Sequence, residues 1–372
     1  MKLLFICGSL EPGRDGVGDY TRRLAGELIR QGHECRVVAM NERHLVPGDG
    51  GGHALEQDGI QVLRLSGTLP WRKRTRLVRK WTEAFAPDWA SLQFVPYSFQ
   101  MKGLPVGLGS RLRQVAPGAR WHVMFHELWI GMEEAAPLRQ RLVGALQRQL
   151  IRRLIGRLAP EKISTQTQLY IAQLENLGFE ATRMPLFGNI PKQSVAAAPP
   201  DTSESSFHLV LFGGIHQKAP IVEFARECAR FGTAVGKTVR LTIAGRSGTE
   251  QEKWKEAWLN EGLRVEATGE CSPDELSMLF QSASFGIATT PVALIEKSGA
   301  AAAMLEHSLP IINVAARWIP RRWQGGDLPN GIFEYRASKL SEAFSAGEQA
   351  FVSGFNVQAV ALQLGDLLKH SR

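Results

Sequence analysis

The chain alternates short apolar runs with amphipathic stretches of helical period, and it does so in two successive series. In the first series Lys2–Cys7 is continuously apolar, and such a run bounded by turn residues predicts a buried strand. A glycine-rich turn at residues 13–18 follows, then a helix over residues 19–31 that Gly32 stops as a C-terminal glycine would. Further strands are predicted at residues 34–39 and 59–65 and at Trp89–Phe94, Arg120–Phe125 and Lys162–Thr165. Residues 189–206 are rich in Pro, Ala and Ser without any period, which marks a linker. The second series then places strands at residues 207–212, 239–244 and 265–267, at Phe285–Ala288, and at residues 309–314. Strands interleaved with helices imply parallel sheets. The predicted fold class is therefore α/β, with two Rossmann-like, doubly wound domains facing across a cleft. Their bounds are 1–190 and 207–372, joined by a linker at 191–206, and the last helix is available to pack back on the first domain.

Composition narrows the class. With 372 residues the chain suits two domains of ordinary size. Hydrophobic residues make up 44%, yet no apolar run approaches the roughly 20 residues a membrane span needs. The opening run is too brief for a signal peptide, because Glu11 and Pro12 follow at once. Cys7, Cys35, Cys228 and Cys271 are scattered with no CxxC pair, which argues for reduced thiols rather than disulfides or zinc. The expected localisation is cytoplasmic.

Charge adds one feature. The net charge is +8, and the excess lies almost wholly before Asn189. Two segments carry it, residues 71–80 and 138–158. In the second, leucines at 138, 142, 146, 150, 154 and 158 recur every fourth residue with arginines elsewhere on the wheel. Two readings stand together: core-packed helices with a solvated basic face, or contact with an anionic membrane surface or polyanionic acceptor. The second reading would put the protein peripherally at the inner face of the membrane. Nucleic acid is not an expected partner, since no recognised binding motif accompanies the charge.

Candidate chemistry lies at the ends of predicted strands, where open α/β sheets bind ligands. Gly16 and Gly18 stand before a helix, although Thr21 occupies the last position of a dinucleotide GxGxxG. Between residues 285 and 310 a strand ends at Pro291, and a loop runs through Glu296, Lys297, Ser298 and Gly299 into the helical Ala300-Ala-Ala-Ala-Met-Leu-Glu306. Ser298 is a natural N-cap, Gly299 permits close approach, and Lys297 adds a cation at the positive end of the helix dipole. A phosphate there would meet backbone amides, including that of Ala300, and an ammonium group; Glu296 could accept from sugar hydroxyls. The bland reading is a capped helix with an exposed Glu-Lys pair. Gly213, Gly214, His216 and Lys218 follow the first strand of the second series, and either cationic side chain could neutralise a diphosphate. In the first series, His126 and Glu127 end one strand, while Gln93 and Tyr97 end another and suit an acceptor sugar. Packing would account for these four nearly as well.

Taken in order, these residues resemble the retaining glycosyltransferases of GT-B fold, family-4-type, typified by bacterial mannosyl- and glucosyltransferases. Residues 16–25 and 32–38 resemble the family's opening; residues 211–218, 241–245, 267–270, 274–276 and 285–310 resemble its C-terminal domain. The resemblance implies a nucleotide-diphosphate sugar donor held by the second domain and a saccharide or lipid-linked acceptor held by the first. It also implies retention of configuration, no metal or other cofactor, and a place in polysaccharide biosynthesis. Under it Glu296 contacts the transferred sugar and His126 lies near that sugar. The sequence departs from the pattern twice. A second glutamate is expected seven residues past the first, and Ala303 or Met304 stands there; an arginine is expected before the phosphate lysine, and Gly214 replaces it. A nucleotide-sugar epimerase and a non-catalytic saccharide- or nucleic-acid-binding derivative are the alternatives.

Overall fold

A computed structural model describes residues 1–43, 45, 52–57, 59–193, 206–347, 354 and 356–369. Residues 194–205 of the expected linker lie outside these. The chain divides into two compact units. Unit 1 comprises Met1–Pro185, Ile319–Gln324 and Val357–Arg372; unit 2 comprises Leu186–Trp318 and Gly325–Asn356.

Unit 1 is built on eight strands: β1 (Lys2–Cys7), β2 (Glu34–Glu42), β3 (Gly52–Gln57), β4 (Ile60–Ser66), β5 (Trp89–Phe94), β6 (Arg120–Phe125), β7 (Lys162–Thr165) and β8 (Thr182–Arg183). Their order is β3-β4-β2-β1-β5-β6-β7-β8, parallel except for the antiparallel β3–β4 pair. Helices α1 (Gly16–Arg30), α2 (Trp71–Glu83), α3 (Pro96–Phe99), α4 (Leu108–Leu112), α5 (Leu138–Leu158) and α6 (Gln168–Glu175) connect them. In unit 2 the strands are β9 (Ser206–Phe212), β10 (Thr238–Ala244), β11 (Arg264–Gly269), β12 (Phe285–Ala288), β13 (Ile311–Asn313) and β14 (Ile332–Glu334). They form one parallel sheet ordered β11-β10-β9-β12-β13-β14. Its helices are α7 (Ile221–Val235), α8 (Glu250–Asn260), α9 (Pro273–Ser282), α10 (Gly299–Glu306) and α11 (Leu340–Gly347). The closing helix, α12 (Val357–Lys369), packs on α1 within unit 1.

Central strands buried on both faces are mostly apolar, as in β1 and β5, and the polar Ser91 and Gln93 of β5 are buried with hydrogen-bond partners. Unit 2 has an aromatic core in which Phe207, Phe224, Trp254, Trp258, Phe285 and Phe344 are buried together. Strand reversal in both sheets leaves crevices at the carboxyl ends.

Several expectations are corrected. Helix α1 begins at Gly16, not Asp19, because the Asp15 side chain accepts from the Gly18 N–H at 2.8 Å and caps it there. The segment after Pro291 is a 3-10 helix, Val292–Lys297, rather than a loop. The leucine stripe of α5 is only half core: Leu154 and Leu158 are buried, whereas Leu138, Leu142 and Leu146 are 67%, 60% and 57% exposed. In α2 the expected basic face loses Arg74. Its guanidinium is buried, donates to the Met40 carbonyl at 2.7 Å and lies over the Trp71 ring. All four cysteines are free thiols. Among the described residues no helix is long and apolar enough to cross a membrane.

Candidate functional site

The carboxyl edge of the unit 2 sheet is made of glycine turns. Strands β9, β10 and β11 end on Gly213, Gly245 and Gly269, with φ of 81°, 87° and 70°. Gly213 N–H donates to the Ala244 carbonyl and Gly245 N–H to that of Gly269, so the three turns form a continuous row. Only glycine takes this left-handed backbone cheaply, and without Cβ atoms the row can be approached closely.

Helix α10 starts beside that row. A Cβ built on Gly213 would lie 3.5 Å from the Ala300 Cβ. Ser298 caps the helix by accepting from Ala301 N–H at 3.3 Å, which leaves the first-turn N–H groups of Gly299 and Ala300 without an intrahelical partner. Glu296 and Lys297, both half-buried, form the last turn of the 3-10 helix before it. The loop after β9 is fixed by the His216 N–H, which donates to the buried Thr289 hydroxyl at 2.8 Å. Burial first, and the Lys297 charge second, hold the His216 imidazole below its ordinary pKa. His216 and Lys297 therefore share one electrostatic neighbourhood, and His216 is neutral at pH 7. Lys218 is exposed with φ of 65°, a backbone conformation that costs a lysine energy. The structure thus brings Gly213, Gly214, Lys297, Ser298, Gly299 and Ala300 to one edge, with Lys218 on the loop beside them. Gly16 and Gly18 lie in unit 1. There the Gly18 amide is already taken by Asp15, and a Cβ on Gly18 would come within 2.6 Å of the Ser9 carbonyl. Gly18 serves close packing of α1 on the loop after β1.

In unit 1 His126 is buried, with Nε2 donating to Gln93 Oε1 at 2.8 Å and Nδ1 accepting from Gln166 at 3.1 Å. Gln93 in turn donates to Ser91, and Ser91 pairs with Nδ1 of the buried His122 at 2.8 Å. Burial drives the His122 pKa down to about 3, so the His122 imidazole is uncharged at neutral pH. Gln93 is thus not a surface contact for an acceptor; it orients His126. Tyr97 is half-buried and lines a cavity of about 200 Å³ with Ser9, Glu11, Arg14, Asp15, Asn41, Arg43 and Ser98. Of this polar wall, only Tyr97 was singled out from the sequence. Burial raises the Asp15 carboxyl above its ordinary range, against the Gly18 and Val17 amides that pull it down. The wall is anchored by Glu42, whose buried carboxylate accepts from Leu10 N–H, Ser9 and Arg64; Arg64 also reaches Glu11. Glu127 is half-buried beside His126. Among the described residues no three His, Cys, Asp or Glu side chains converge as a metal site.

Two α/β units, each built on a largely parallel sheet, make up a GT-B fold. Residues 15–189 match the family described as the glycosyl transferase 4-like domain. HepE from Anabaena, solved with UDP and glucose, is similar over 100% of both chains at 16% identity and a TM-score of 0.59. The lipopolysaccharide outer core galactosyltransferase WaaB is similar over 99% of both chains at 12% identity and a TM-score of 0.59. A putative UDP-N-acetylglucosamine 2-epimerase from Listeria monocytogenes is also similar, over 99% of this chain and 95% of its own, at 12% identity and a TM-score of 0.56. At these identities the likeness establishes the fold. No curated protein sequence matches the chain.

Proposed function

We propose that the protein transfers a hexose from a nucleotide-diphosphate sugar to a saccharide or lipid-linked acceptor, with retention and without a metal ion. The observation that carries this reading is the unit 2 edge, where a row of glycine turns meets a helix start preceded by Glu296 and Lys297. In this reading the diphosphate lies on the Gly299 and Ala300 amides. Lys297 and Lys218 offset its charge, and the helix dipole adds to them. Glu296 orients the sugar and balances positive charge developing at the anomeric carbon. His126, oriented by Gln93 and Gln166, acts as a positioning residue in unit 1, and the Tyr97 cavity with its hydroxyl, amide and carboxylate groups suits acceptor hydroxyls. The galactosyltransferase WaaB and the matched family domain favour transfer over epimerisation.

The test separates Glu296 from Lys297. Lys297→Ala removes a charge-assisted phosphate contact of roughly 1.5–3 kcal/mol, so calorimetry with free nucleoside diphosphate should show affinity falling about tenfold or more. Glu296→Gln should instead lower turnover far more than diphosphate affinity. A panel of nucleotide sugars, assayed with and without EDTA, separates transfer, epimerisation and binding without turnover. Strict dependence on added divalent metal, or indifference to both substitutions, sinks the reading.

A further inference from the structure

A cluster of arginines lies away from that edge, within unit 1. A cavity of about 390 Å³ opens between the first half of α5, the loop after β6 and the crossing segment Ile319–Gln324. Arg141, Arg148, Arg152, Arg321 and Arg322 line it, and no carboxylate does. None of the five is in an ion pair among the described residues.

The arrangement is braced. Ile319 and Arg321 bond the loop at 132–134 in both directions: Glu134 N–H donates to the Ile319 carbonyl at 2.9 Å and Arg321 N–H to that of Met132 at 2.8 Å. Gln173 holds the Arg321 carbonyl at 2.8 Å, and one arm of the Arg321 guanidinium is spent on the Glu134 carbonyl. Arg322 is left in the left-handed region at φ 57°, a strained conformation for a side chain with a Cβ. Arg148 lies over the face of Trp129. Its guanidinium titrates below the ordinary arginine value through burial first and the charges of Arg322, Arg152 and Arg321 after it. Arg148 thus lies within the field of three like charges, Arg152, Arg321 and Arg322, and a bound anion would offset their mutual repulsion. Leu138 and Leu142, largely exposed, border the same opening as an apolar ledge.

We propose that this cavity is a binding site for a phosphate or diphosphate group, held by the forked guanidinium groups of Arg148, Arg152 and Arg322. Guanidinium forks match the paired oxygens of such a group, and the cavity has volume to spare for it. The site belongs to unit 1 alone and does not rest on the glycosyl-transfer reading. Its ligand carries the phosphate either free in solution or on a lipid whose chain meets Leu138 and Leu142.

The test uses the whole chain with inorganic pyrophosphate and, separately, with phosphatidylglycerol vesicles. Arg148→Gln and Arg152→Gln should each weaken pyrophosphate binding about tenfold or more without lowering the Tm of the free protein. Arg322→Gly should do the same and raise the Tm, because glycine accepts the backbone angle that strains arginine. Titrations repeated in Lys297→Ala keep the two candidate anion sites apart. Pyrophosphate affinity that depends on Lys297 and ignores all three arginines overturns the proposal while leaving the unit 2 site standing, and binding indifferent to both sets overturns it as well. Vesicle binding that falls with the arginine variants and with Leu142→Ser assigns a lipid-borne phosphate; pyrophosphate binding that falls while vesicles are ignored assigns a soluble one.

Discussion

Glu42 is the residue whose loss should be felt most widely in unit 1. Its side chain is 0% exposed and its partner Arg64 is 13% exposed. The carboxylate accepts from the Leu10 N–H at 2.7 Å, the Ser9 hydroxyl at 2.8 Å and Arg64 Nε at 2.8 Å. Glu42→Ala removes all three hydrogen bonds. Stranding one member of a buried ion pair costs about 3–5 kcal/mol, and Arg64 keeps Glu11 and some solvent, which places its share near the lower bound. The buried Leu10 amide, left without an acceptor, contributes about 1–3 kcal/mol within that total. An overall loss of about 3–4 kcal/mol is expected.

Glu42→Gln retains one oxygen and should cost about half as much. Urea unfolding gives the total, and hydrogen exchange at the Leu10 amide reports the local part directly. A double-mutant cycle with Arg64→Met should return a coupling of about 1 kcal/mol or more. Because Glu42 holds the loop that forms one wall of the Tyr97 cavity, the variants should also raise KM for acceptor ahead of any change in donor affinity. If Glu42→Ala costs less than about 1 kcal/mol and Leu10 exchange is unchanged, this anchor is not what shapes the wall.

Three further outcomes follow. His122, neutral in the fold with a pKa of about 3, has an unfolded value near 6.5, so the unfolded chain binds more protons between them. Its contribution is intact above about pH 6.5 and lost as pH falls toward 3. His122→Gln should flatten the acid limb of stability by up to ~1.4 kcal/mol per pH unit, and an unaltered limb refutes this. Gly188→Ala should destabilise unit 2 by about 1–3 kcal/mol in thermal or urea unfolding, since its Cβ would fall 2.6 Å from the Ala303 Cα, where backbone cannot yield. Ala303→Glu should destabilise unit 2 without tightening nucleoside diphosphate binding; tighter binding at unchanged Tm would mean that α10 turns this position toward the ligand.

The strands were legible because burial on both faces leaves short, mostly apolar runs between turn residues, and Lys2–Cys7, Trp89–Phe94, Arg120–Phe125, Lys162–Thr165 and Phe285–Ala288 keep the bounds their sequences predict. β3, with the sequence GHALEQ, escaped because an edge strand carries no such run. The 3-10 helix at Val292–Lys297 is too short to display a period, yet it sets the approach of Glu296 and Lys297 to α10. The first turn of α1 was misplaced for a different reason: Asp15 satisfies an amide that glycines were expected to leave open. The arginine cavity had one visible half, the basic stripe of α5. Arg321 and Arg322 join it only through the crossing segment, and no local pattern announces a contact between residues so distant in sequence.

Ala303 shows how a departure from a family pattern acquires a physical meaning once its neighbours are known. Read along the chain, an alanine where a glutamate is expected is a missing ribose contact. In the fold Ala303 is buried, its backbone lies against Gly188, and the adjoining Met304 fills the space that a Cβ on Gly286 would take. Glu306, the one carboxylate on α10, is turned to the Gly188 amide at 2.8 Å. Helix α10 therefore uses both its small residue and its acid to hold the segment entering unit 2, and a glutamate at 303 would have to displace backbone to fit. The alanine is matched by a glycine far from it in sequence, and the two form one packing unit. Any contact to a ribose in unit 2 has to come from groups other than this face of α10.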